Sequence, residues 1–160
     1  MKTLVSMSAA FALVATAALA QSTEEFVNKV AVSDMFEVQS SEFLLSKGPD
    51  KDSGPFARKM VKDHTKTSKE LKQLIERGKV RATLPAALDS EHQKKLDQLK
   101  SLSGRELDVA YDKAQVEGHE QAVSLFEAYT KSGDNPDLKK WAGKTLPHLR
   151  SHLAMARKLK

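Results

Sequence analysis

The chain has 160 residues, a formal net charge of +5 and 29% charged residues, which is the scale of one domain. It contains no cysteine, so disulfides, thiolate metal sites and a lipid-modified N-terminal cysteine are excluded. Its basic residues form no block interleaved with aromatics, so a nucleic-acid partner is not expected.

The N-terminus begins Met1-Lys2-Thr3 and runs into an apolar, alanine-rich stretch from Leu4 to Ala20 that ends Ala18-Leu19-Ala20 before Gln21. A basic start, an apolar run and small residues at −3 and −1 predict a secretory signal peptide over residues 1–20, cleaved after Ala20. The expected mature domain is residues 21–160, exported to the periplasm. No later stretch is apolar for long enough to span a bilayer, and a soluble monomer is expected.

Glycine and proline then divide the chain. Gly48, Gly54, Gly78, Gly104 and Gly133, with Pro49, Pro55, Pro85 and Pro136, fall between stretches of helical periodicity. The first helix is predicted from Thr23 to Ser46, opened by a capping box of Ser22 with Glu25. The second runs from Pro55 to Arg77, with Gly78 as its C-terminal cap. A short helix follows at 90–101. The third long helix spans Arg105 to Lys131. The fourth starts at Pro136 after an Asn135 cap, continues to about Lys158 and contains Pro147, where a kink is expected.

Each long helix carries an apolar stripe, so the expected fold is all-α: a four-helix bundle with one short extra helix. The first helix has a second apolar strip, Val32, Phe36 and Phe43, to be covered by the short helix or left as a partner surface.

Polar residues interrupt the stripes. His64 lies mid-arc on the second helix, His119 beside Ala122, Val123 and Phe126 on the third, and His152 between Leu149 and Met155 on the fourth. Asp34 and Glu37 fall among Val27, Val30 and Val38 on the first. Asp112 shares the face of His119, and His92 is expected to be exposed. Buried groups of this kind are costly unless partnered. Two explanations fit: an internal hydrogen-bond network, with Asp63 capping or bridging, or a metal site, since imidazole and carboxylate together suit zinc, copper, iron or manganese.

Glu37, His64, His119 and His152 come from four different helices at comparable axial depth. They are the predicted metal-site residues, and a divalent transition metal is the candidate cofactor. A ferritin-type di-iron centre is disfavoured, because the Glu-x-x-His pairs it needs are absent: Val61, Val116 and Leu149 stand three residues before the three histidines. No catalytic residues are predicted, since the chain has no Gly-x-Ser-x-Gly elbow and no Gly-rich phosphate loop.

Phe26-Val27, Ser33-Asp34-Met35, Glu37 and the run Phe56-Ala57-Arg58-Lys59-Met60-Val61-Lys62-Asp63-His64 resemble a bacterial exported family, domain of unknown function 4142. So do Asp112, Gln115-Val116, His119, Leu146-Pro147 and His152-Leu153. The resemblance covers about Phe26 to Leu159. It implies a ferritin-like bundle in the cell envelope, and the family's label, predicted outer membrane protein, extends the expectation to association with that membrane. It implies no activity. The leading functional expectation is a non-enzymatic binding or stress-protective envelope protein; the alternative is a metal-binding protein that uses the core histidines.

Overall fold

A computed structural model describes residues 22–159, so the expected signal peptide and its cleavage site lie outside the described residues. Five helices follow one another: α1 (Thr23–Ser46), α2 (Ser53–Glu76), α3 (Ser90–Lys100), α4 (Gly104–Ser132) and α5 (Pro136–Ala156). The two helical hairpins α1/α2 and α4/α5 make the most extensive contacts, and α3 lies across α1 and α4. No described helix is long and apolar enough to cross a membrane.

Local chemistry sets the helix ends. The Ser22 side chain accepts from the Glu25 amide, which is half of the expected capping box. The Glu25 carboxylate turns instead to Lys29, one turn on. At the end of α2, Gly78 takes a positive φ of 68°. Its amide donates to the Ile75 carbonyl, and the Lys79 amide donates to that of Leu74. This is the Schellman arrangement, which a Cβ at Gly78 would strain. Asn135 caps α5 by accepting from the Leu138 amide. Pro147 sits inside α5, which continues through it to Ala156. The second helix starts two residues earlier than expected, because the Asp50 carboxylate accepts from the amides of Asp52 and Ser53 and orders that turn.

The core divides into two apolar clusters. One gathers Phe26, Val30, Leu71, Phe126, Tyr129, Trp141 and Leu149. Phe26 is stacked on Tyr129, with centroids 3.9 Å apart, and Gly133 lies where a Cβ would come within 2.7 Å of the Tyr129 ring. The other gathers Phe36, Leu44, Phe56, Met60, Leu96, Leu99, Leu107, Tyr111 and Ala156. Here Leu96 and Leu99 of α3 join the cluster that holds Phe36, with Phe43 packed against it. The second apolar strip of α1 is thus largely covered by the short helix.

Between the clusters lies a polar layer. Along α2, His64 falls between Met60 and Leu71; along α4, His119 falls between Tyr111 and Phe126; along α5, His152 falls between Leu149 and Ala156. Asp34 and Glu37 of α1 occupy the same level and are likewise buried. Each stripe is therefore apolar at both ends and polar in the middle.

Candidate metal centre

The three histidines meet. Ring centroids are 5.6 Å apart for His64 and His119, 5.7 Å for His64 and His152, and 5.4 Å for His119 and His152. Each ring can offer one nitrogen such that the three lie within 4.8 Å of one another. The residues are only 1–3% exposed.

Hydrogen bonding orients each ring and selects its tautomer. Nδ1 of His119 stands 2.8 Å from the Gln115 backbone carbonyl. A carbonyl oxygen can only accept, so that Nδ1 carries hydrogen, and Nε2 of the neutral ring carries a lone pair. Nδ1 of His64 donates to Asp34 Oδ1 at 2.7 Å, and Asp34 is held in turn by the Ser68 hydroxyl. Nε2 of His152 donates to Asp63 Oδ2 at 2.9 Å, and Lys59 holds the same oxygen.

The remaining nitrogens, Nε2 of His64, Nε2 of His119 and Nδ1 of His152, are buried and find no hydrogen-bond partner among the described residues. A buried polar atom left without a partner is destabilising. Three acceptors facing one another cannot satisfy each other, but a cation can satisfy all three. A carboxylate or carbonyl behind each ligating histidine is the usual support of a metal site.

Burial and mutual repulsion disfavour charge on two of the three rings. Burial first, then the neighbouring His64 and His119, push His152 down to about 4. Burial, only partly offset by Glu37, holds His119 below its ordinary value. Burial also opposes charge on His64, but the Asp34 carboxylate outweighs it and holds that ring above its ordinary value.

Of the four predicted site residues, the structure therefore joins three. Glu37 is buried beside the cluster but is not among the grouped ligand atoms. Its Oε1 lies 3.9 Å from Nδ1 of His119, the nitrogen already given to Gln115. The carboxylate that holds a ring is Asp34, one turn earlier on the same face of α1. Both stood out in the stripe; nothing in the spacing says which of them reaches His64. Asp63 also enters as the support of His152, whereas the Gln115 carbonyl, being backbone, left no trace in side-chain patterning. His148 is exposed, and His92, on α3, pairs with Asp89 and sets its ring edge to Phe36.

A cleft of about 880 Å³ opens between α1, α3 and α4, and its lining includes Glu37, Gly118 and His64. Of the triad, His64 alone is on its lining.

Asp112 stands apart from the triad. Its Oδ1 accepts from the Ser53 hydroxyl at 2.8 Å, while Oδ2 has no partner among the described residues. Burial, with Asp50, Asp108 and Asp52 nearby, raises this carboxyl to about 6 despite the Ser53 bond. A folded value above the unfolded one means that folding favours the protonated form. Its contribution is fully present below about pH 4 and lost as pH rises to about 6. Asp112→Asn is therefore expected to stabilise the protein by about 1–3 kcal/mol above pH 6 and by little at pH 4. Denaturant melts of both proteins from pH 4 to 8 check this; a difference that does not change with pH overturns it.

Taken together, the fold and this site define an all-α bundle with a triad of inward-facing imidazoles set between two apolar clusters. The model of the family described as Domain of unknown function (DUF4142) matches residues 8–159, and the chain belongs to that family. No curated protein matches it. Among solved structures, one described as "CopM in the Cu(II)-bound form" has the same fold, with a TM-score of 0.71 and 16% sequence identity, over 88% of this chain and 96% of that one.

Proposed function

We propose that this protein is a non-enzymatic metal-binding protein of the cell envelope, whose site is the triad His64, His119 and His152. The observation that carries the reading is the set of three buried lone pairs, each aimed by a hydrogen bond on the opposite side of its ring. Metal–nitrogen bonds of ~2.0–2.1 Å place ligand nitrogens roughly 3.3–3.6 Å apart. Small side-chain rotations bring a group within 4.8 Å to that spacing.

The donor set points to the ion class. Imidazole without carboxylate ligation suits copper, zinc or nickel rather than magnesium or calcium. Among divalent ions, affinity peaks at Cu(II) and zinc follows. The CopM structure of the same fold, described as Cu(II)-bound, supports that order. The rings are enclosed and lack a paired nucleophile and base, which favours holding an ion over transforming a substrate. The cleft between α1, α3 and α4 gives the ion its approach. The envelope location rests on the N-terminal segment, whose pattern is that of an export signal.

Untagged protein titrated with Cu(II) or Zn(II) is expected to take up one equivalent, read by elemental analysis after desalting. His119→Ala should abolish this uptake. It is the informative variant because the Gln115 carbonyl that it leaves behind stays in the helix, so the unliganded fold is least disturbed. Uptake below a tenth of an equivalent in the wild-type protein, or the same uptake in the variant, overturns the reading.

A further inference from the structure

Glu37 is the buried charged group that the triad does not explain. It sits in the middle of α1 and is 2% exposed, and its Oε2 has no hydrogen-bond partner among the described residues. The opposite helix makes room for it. Gly118 of α4 stands where a Cβ would come 3.3 Å from Glu37 Oε1, although glycine is unfavourable inside a helix. The carboxyl lies against the outer edge of His119, 3.9 Å from Nδ1. Its oxygens are not among the ligand atoms that group with the inner nitrogens.

Three carboxyl groups surround the triad. Asp63 is balanced by Lys59, its ion-pair partner at 2.7 Å. Asp34 faces His64. Among the described residues, Glu37 has no cationic partner of its own beyond the rim of His119. Among the described residues, Glu37 is thus a buried carboxyl beside the triad with no lysine or arginine to balance it.

We propose that Glu37 is a charge-selecting residue, which acts through space on an ion held by the histidine triad and favours doubly charged over singly charged ions. This rests on the reading of the triad as a metal site. The physical reason is that Coulomb attraction scales with the ion's charge and is strong where water is excluded. An ion on Nε2 of His119 lies no more than roughly 8 Å from Glu37 Oε1, given a bond of ~2.0–2.1 Å beyond the ring and the 3.9 Å contact at Nδ1. At that range one carboxylate is worth on the order of tenfold or more in affinity per unit of ion charge. Removing it penalises a divalent ion twice as heavily, on a logarithmic scale, as a monovalent one.

The test compares Zn(II) with Cu(I), the latter titrated anaerobically against a competing chelator, in the wild-type protein and in Glu37→Gln. Glu37→Met, of similar volume and without a polar group, serves as the second uncharged variant should the amide disturb folding. The expected result is a Zn(II) affinity lower by on the order of 100-fold where the Cu(I) affinity falls by about tenfold. The Cu(II)/Cu(I) potential should rise by about 59 mV for each tenfold of that differential. Equal losses for the two ions would show that Glu37 only positions the ring, and no loss for either would show that it does not act on the site; both outcomes overturn the proposal. If the wild-type protein takes up neither ion, the reading of the triad itself has failed, whatever Glu37 does.

Discussion

His64→Ala is expected to lower the folding stability of the metal-free protein by about 3–5 kcal/mol, because it removes one partner of a buried hydrogen-bonded pair and leaves the other. Asp34 is 3% exposed, and beyond His64 it keeps, among the described residues, the Ser68 hydroxyl at 3.2 Å. Burial already holds that carboxyl above its ordinary range, offset in part by the His64 bond. Losing the ring removes the offset. His119→Ala makes a useful contrast, since the hydrogen bond it removes is to a backbone carbonyl that stays in the helix, and a cost of about 1–3 kcal/mol is expected there. A second contrast is the double variant Asp34→Ala with His64→Ala. It should be less destabilised than the sum of the two single changes, because neither partner is left behind. Urea melts of the wild-type protein and the four variants, Asp34→Ala among them, in the presence of a chelator would measure all three quantities. Equal losses at His64 and His119, or strict additivity in the double variant, would show that the Asp34–His64 pair does not carry the layer.

A saturating divalent ion is expected to raise the melting temperature by roughly 10–15 °C. An ion that binds only the folded state stabilises it by RT ln(1 + [L]/Kd), about 4.1 kcal/mol at a thousandfold excess over Kd. For a domain of this size that free energy corresponds to roughly 3 °C per kcal/mol. The unfolded chain keeps its histidines but not their arrangement: residues 64, 119 and 152 are brought together only by folding. Cu(II) or Zn(II) should therefore shift the transition upward in the wild-type protein, and excess chelator should reverse the shift. Mg(II) should do neither, since its preferred ligands are oxygens. A wild-type shift of under about 2 °C at saturating Cu(II) and Zn(II), or an equal shift in His119→Ala, would sink this expectation. The two experiments are independent: the first examines a polar layer within the protein, and the second asks whether that layer takes a ligand.

What could be read from residue order alone was the local part. The 3.6-residue stripes, the Ser22 and Asn135 caps, and Gly78 at the end of α2 define helices whose boundaries agree with the structure to within two residues. These signals are short-ranged: a cap is a bond to an amide three residues away, and a stripe needs one chain segment. The presence of a histidine on each of three stripes was equally legible, because an imidazole in an apolar arc stands out wherever the arc packs. Only tertiary structure decided which carboxylate backs which ring. Asp34 and Glu37 lie one turn apart on the same face of α1, so periodicity cannot separate them. Packing does so, placing Asp34 against His64 and Glu37 in the space left by Gly118. The tautomers were decided in the same way, by Gln115, Asp34 and Asp63 behind the rings. Residue types and spacing specify the helices and the chemistry each one carries. Which lone pairs are left facing one another depends on the rotation and axial offset between helices, and those are set by how two apolar clusters close around one polar layer.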